Sequence, residues 1–115
     1  YHPASRPANK IRAANPLFLP ANLERAAGLL AVLREVAEAH AVTPAQIALA
    51  YVLRHPAVVA IPGASSVAQL ESNVAAAEID LTGDEYAALQ AAADRFQPVT
   101  GLAAIPRLAR IRLRR

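Results

Sequence analysis

The stretch Ala57-Val58-Val59-Ala60-Ile61-Pro62-Gly63-Ala64-Ser65-Ser66-Val67-Ala68-Gln69-Leu70-Glu71-Ser72-Asn73 sets the frame for the whole chain. Its first five residues are apolar, with β-branched side chains at Val58, Val59 and Ile61. Such a run, without polar alternation, predicts a strand over about 57–62, buried on both faces as in a parallel sheet covered by helices. Pro62 donates no ladder hydrogen bond and Gly63 tolerates a tight turn, so the strand should stop there. Ser66 then stands at a helix N-cap position, and Gln69 three residues on completes a capping box. The expected order is strand, glycine turn, serine cap, helix.

That order has a chemical use. The unpaired N–H groups of a helix's first turn carry partial positive charge and suit a phosphate. Gly63 and Ala64 would let the backbone come close to such a ligand, and Ser65 and Ser66 would add hydroxyl donors. Ser66, Gln69 and Asn73 share one helix face, beside an apolar stripe of Leu70, Val74 and Ala77. The bland alternative is a plain capped helix, with Ser66 and Gln69 serving the backbone and Asn73 facing water.

Working outward, Thr43-Pro44-Ala45-Gln46 combines a threonine cap, a proline at the first helical position and a glutamine that closes the box. It should launch a helix over about 44–55, apolar nearly all round and ended by Arg54-His55-Pro56. Before it, Leu23, Ala26, Ala27, Leu30, Leu33 and Ala37 recur at helical spacing and predict a helix over about 22–40. After the central stretch a helix is expected over about 66–77. Thr82-Gly83-Asp84-Glu85 is another capping box, opening a helix over about 83–96 with Tyr86, Leu89, Ala92 or Ala93 and Phe96 inward. Residues 1–21, with Pro3, Pro7, Pro16 and Pro20, read as a loop. Residues 102–115, with five arginines, read as a basic C-terminal tail.

The segment Ile61-Pro62-Gly63-Ala64-Ser65-Ser66-x-x-Gln69-Leu70-x-x-Asn73 resembles the cofactor-binding signature near the end of aldo-keto reductases. Its form is similar to that of the potassium-channel β-subunit-like and bacterial members of the superfamily. Val42 to Leu53 resembles the family's helix before its last barrel strand, and Ile79 to Glu85 the lead into its C-terminal helix. The resemblance implies an α/β fold: the C-terminal fragment of a (β/α)8 TIM barrel, mostly helical, with one parallel barrel strand at about 57–62. Residues 22–101 would be that barrel portion. The implied activity of the parent is carbonyl reduction by hydride transfer from NAD(P)H. Gly63, Ala64, Ser65, Gln69 and Asn73 would bind the adenosine end of the cofactor, with NADP(H) favoured and NAD(H) possible. Two departures bear on this. No lysine or arginine stands between Gly63 and Gln69 to pair with a 2′-phosphate, and Ser72 stands where the family often has glutamate. No stretch matches the family's catalytic tyrosine, aspartate, lysine and histidine, so the catalytic set is empty and the chain alone is expected to be inactive.

Composition bounds the rest. At 115 residues the chain is under half of a barrel, which needs on the order of 250. It has no cysteine, which excludes disulfides and thiolate metal sites. His2, His40 and His55 are far apart in sequence, and no metal site is expected. Residues 21–96 hold four arginines against nine acids, and the charge turns basic only at the ends. That layout does not fit a nucleic-acid-binding domain. No apolar run reaches the ~18 residues of a membrane span, and the expected location is cytoplasmic. The implied partners are the nicotinamide cofactor and, for the parent, a small carbonyl substrate. The competing class is a non-catalytic helical interaction module that uses the apolar helix and the basic tail.

Overall fold

A computed structural model of the chain describes residues 15–100. Those residues form two units, one of residues 15–28 with 95–100 and one of residues 29–94. The expectations for residues 1–14 and for the basic tail at 102–115 lie outside the described residues.

The part of the expected loop that is described is not a loop. Pro16–Phe18 is a 3-10 turn capped by Asn15, whose side chain accepts from the Leu17 N–H, and helix α1 (Pro20–Arg25) follows. Both prolines occupy the first position of their element, where a missing N–H costs nothing and the fixed φ is already helical. The helix expected over about 22–40 is two helices, α1 and α2 (Ala27–Ala39), meeting at Ala26.

A polar clip holds the first unit together. Asn22 is fully buried, at 0% exposure. Its Nδ2 donates to the Pro16 carbonyl at 2.7 Å and to the Val99 carbonyl at 2.9 Å. Its Oδ1 accepts from the Val99 N–H at 2.8 Å, so one side-chain amide pairs with both backbone polar groups of Val99. Arg25 adds a bond from Nη1 to the Gln97 carbonyl at 2.9 Å. Among the described residues, no buried side-chain nitrogen or oxygen lacks a partner.

The second unit is helical and packs on its own apolar cluster of Val36, Ala37, Ile47, Ala50, Leu81 and Leu89. The end of α2 explains how the chain turns into it. Ala41 has φ 53°, the Val42 N–H donates to the Ala37 carbonyl, and the Ala41 N–H donates to the Glu38 carbonyl. This is a Schellman turn with alanine where glycine is usual, and Val42 folds back onto the cluster. Helix α3 (Pro44–Leu53) starts on a capping box in which the Gln46 side chain accepts from the Thr43 N–H at 3.0 Å. Only Ile47 and Ala50 of α3 are buried, so the all-round apolar helix is covered on one side, and Val52 is exposed. Arg54 caps its end, donates to the Leu81 carbonyl and lies 5.1 Å above the Tyr86 ring.

Helix α4 (Val67–Ala75) continues into a 3-10 turn, Ala76–Glu78, and helix α5 (Gly83–Arg95) closes the unit. At the start of α5, Glu85 Oε2 accepts from the Thr82 N–H at 2.8 Å, and its Oε1 sits 3.0 Å from His40 Nε2. An ionised carboxylate only accepts, so Nε2 is the protonated ring nitrogen. The carboxylate thereby bridges the end of α2 and the start of α5.

The Thr82 N–H, and then the His40 hydrogen bond, hold the Glu85 carboxyl below its ordinary value. Its folded-state value lies below its unfolded one, so its contribution is present above about pH 4.3 and is lost as pH falls through the folded value. The expected result is a melting temperature that falls on acidification below about pH 4.3. Glu85→Gln keeps an acceptor for Thr82 and flattens that acid slope, as thermal melts across the pH range would show.

The predicted strand at about 57–62 is absent: among the described residues no strand forms. The reason is physical. A strand is completed by a neighbour's N–H and C=O groups, and here the Val58 N–H instead closes a turn on the His55 carbonyl at 3.0 Å. Val59 and Ile61, expected to be buried on both faces, are 85% and 94% exposed.

Candidate functional site

The five candidate residues lie on the turn after that apolar run and on the first two turns of α4. Ser66 is the N-cap in extended conformation (φ −149°, ψ 160°), and its hydroxyl oxygen accepts from the Gln69 N–H at 3.2 Å. The reciprocal bond differs from the expected box. Gln69 Oε1 reaches one residue further back and accepts from the Ser65 N–H at 2.8 Å and the Ser65 hydroxyl at 2.9 Å. Two tandem serines leave the sequence ambiguous about which one the glutamine serves. Asn73, two turns along α4, donates from Nδ2 to the Gly63 carbonyl at 3.4 Å.

Ser65, Gln69, Asn73 and Gly63 are thus brought together, and Ala64 lies between two of them in the turn. A Cβ built on Gly63 would meet nothing within 4 Å, so the backbone there faces open space. The turn and α4 are exposed from Gly63 through Glu71, and Asn73 is half-buried. Chemically the cluster is a set of neutral donors around a helix N-terminus. Two donors of Ser65 already converge on a single oxygen, the arrangement a phosphate oxygen needs. The apolar stripe beside it, Leu70, Val74 and Ala77, is exposed, and the buried residue of that region is Ala76.

The two described tyrosines belong to the scaffold. Tyr51 and Tyr86 stack with ring centroids 4.9 Å apart, and the Tyr51 hydroxyl donates to Gln90 Oε1. Partial burial, and then the neighbouring Tyr86, push the Tyr51 phenol up. Among the described residues no three histidine, cysteine, aspartate or glutamate side chains converge on a point that could hold a metal. Nor is any single described helix long and apolar enough to cross a membrane. One feature escaped the sequence reading: the carbonyl of Gly63 is a partner of Asn73. The ten-residue separation matches no local helical or capping pattern that would have flagged it.

Comparison with known proteins identifies the family. The model of the aldo/keto reductase family matches residues 2–94. The chain belongs to that family. It is 54% identical over 90 residues to the uncharacterized oxidoreductase Rv2298 of Mycobacterium tuberculosis, covering 78% of this chain and 28% of that protein. It is 37% identical over 90 residues to the aldo-keto reductase str7 of Strobilurus tenacellus, covering 77% of this chain and 27% of that protein. Methylglyoxal reductase YeaE of Escherichia coli is 43% identical over 67 residues, covering 56% of this chain and 24% of its own. This aldo/keto reductase chain therefore spans about a quarter of the length of the curated relatives it matches. No solved structure matches it.

Proposed function

We propose that this chain carries the adenosine end of the nicotinamide-cofactor site of an NAD(P)H-dependent aldo-keto reductase. The observation that carries the reading is the convergence of Ser65, Gln69, Asn73 and the Gly63 backbone at the N-terminus of α4, in a chain of this family. Ser65 offers its N–H and hydroxyl to a phosphate oxygen, replacing the bonds that Gln69 Oε1 now accepts. Gly63 and Ala64 let the phosphate reach the backbone, and Asn73 presents an amide toward the adenine side. The neutral donor set accommodates the 2′-phosphate of NADP(H) through hydrogen bonds, without a salt bridge. NAD(H), which lacks that phosphate, loses fewer interactions here than in a site built on arginine.

The cofactor, when bound, supplies the hydride for reduction of an aldehyde or ketone. The residues of this chain bind and orient its adenosine end, which adds affinity and leaves the proton chemistry to groups outside the chain. In the complete protein the run 57–62 is the parallel barrel strand that delivers the Gly63 turn to the carboxyl edge of the sheet. The chain alone binds the cofactor without turning over a carbonyl, and its setting is the cytoplasm.

Titration of the purified chain with NADPH and with NADH by calorimetry, with circular dichroism to establish folding, tests this. Saturable binding is expected, weakened about tenfold in Ser65→Ala, which removes the hydroxyl donor, and in Gln69→Ala, which removes the Nε2 donor that reaches the same phosphate or the ribose once Oε1 is displaced. Absence of binding by a chain that is demonstrably helical would overturn the assignment.

A further inference from the structure

The segment that delivers Ser65 is fastened at both ends and at one point between them. At its near end the Val58 N–H closes on the His55 carbonyl at 3.0 Å, and the Ala57 N–H donates to His55 Nδ1 at 3.3 Å. At its far end both Ser65 donors converge on Gln69 Oε1. Across Pro62, Gly63 and Ala64 the described residues make one hydrogen bond, from Asn73 Nδ2 to the Gly63 carbonyl at 3.4 Å. Pro62 has no N–H to offer. Pairing of the run 57–61 as a barrel strand ends at that proline and leaves the turn beyond it to α4.

Gly63 is where such a tie has most effect. Glycine has the widest backbone freedom of any residue and loses the most when it is fixed. Here no local demand uses that freedom: the φ of Gly63 lies outside the left-handed region, and a Cβ would meet nothing within 4 Å. The restraint comes from Asn73, ten residues on and half-buried on α4. A carbonyl oxygen only accepts, so the Asn73 atom that meets it is the amide nitrogen. The bond therefore orients the amide as well. With Nδ2 committed to Gly63, Oδ1 is the atom left for the base.

We propose that Asn73 is the positioning residue of the cofactor turn. By tying Gly63 to α4 it sets the place of the Ser65 donors, and so governs the grip on the phosphate as well as contact with the base. The inference rests on the cofactor reading and goes beyond it, because a residue that only touches adenine has no effect on a ligand without a base.

Titration of the 115-residue chain with NADPH and with inorganic phosphate, followed at the Ser65 amide by NMR, tests it in wild type and in Asn73→Ala. Alanine favours helix, so α4 and its circular dichroism stay intact. The expected result is that Asn73→Ala weakens both ligands by the same factor, about three- to tenfold. Without ligand, hydrogen exchange at the Ser65 amide speeds up about threefold or more. Adding Gly63→Ala, which narrows the freedom that the tie restrains, restores that protection in the double variant. Weaker NADPH binding with unchanged phosphate affinity makes Asn73 a base contact alone and overturns the proposal. So does Ser65 exchange that Asn73→Ala leaves unchanged. Failure of the cofactor reading looks different: the folded wild type then binds neither ligand, and the Ser65 exchange by itself decides whether Asn73 holds the turn.

Discussion

Asn22→Ala lowers the stability of the chain by about 2–4 kcal/mol. The side chain is fully buried and makes three hydrogen bonds, and all three serve backbone groups of Pro16 and Val99. Alanine removes one amide and strands three partners, and each stranded group then carries its own desolvation penalty. At roughly 4–8 °C per kcal/mol for a domain of this size, the melting temperature falls by about 8–32 °C. Asn22→Asp is at least as damaging. Its second oxygen would face the carbonyls of Pro16 and Val99, setting acceptor against acceptor where two donor bonds stood. Hydrogen exchange at the Val99 amide gives the local readout, since that proton loses its protection when Oδ1 is gone. A drop below about 1 kcal/mol would mean that water takes over the clip's bonds and that the buried amide is not what holds residue 99.

Ile47→Ala removes the centre of the other unit. Ile47 has 0% exposure and lies in the cluster with Val36, Ala37, Ala50, Leu81 and Leu89. Two of those neighbours are alanines, which have no side-chain length with which to close a cavity. The cost therefore sits in the upper part of the usual 2–5 kcal/mol range, about 3–5 kcal/mol. Against a total of about 5–15 kcal/mol for an ordinary domain, and less for a small one, that change leaves the helices close to unfolding at room temperature. Ile47→Val, which deletes one methylene, is expected to lose only about 0.5–1.5 kcal/mol. Denaturant melts resolve the series: the midpoint should fall in the order wild type, valine, alanine with an unchanged slope. Equal midpoints for valine and alanine would show that the core repacks freely around α3.

Local chemistry was legible in the sequence and long-range chemistry was not. The starts of α3 and α5 could be read because Thr43 with Gln46, and Thr82 with Glu85, satisfy each other across three residues. Family membership was legible for a related reason, since Gly63, Ser65, Gln69 and Asn73 keep fixed spacings on one turn and one helix. The break at Ala26 has no proline and no cap to announce it. The run at 57–61 has the composition of a strand, but a strand exists only when a neighbour supplies its ladder, and composition cannot supply one. Gln69 pairs with Ser65 instead of Ser66 because a second serine directly before the N-cap offers both an N–H and a hydroxyl within its reach. His40 and Glu85, far apart in sequence, meet only because α2 ends near the start of α5.

The Asn22 clip also sets an order of events. Asn22 and Val99 are 77 residues apart, and closing a loop of that length costs about 4 kcal/mol of chain entropy on a logarithmic scaling. The bonds cannot repay that until the intervening helices have already shortened the distance. During synthesis, α1 leaves the ribosome long before residue 99 exists, with a polar side chain that has no partner yet. Assembly of the helical unit at 29–94 brings that distance down, and the clip between α1 and residue 99 closes after it.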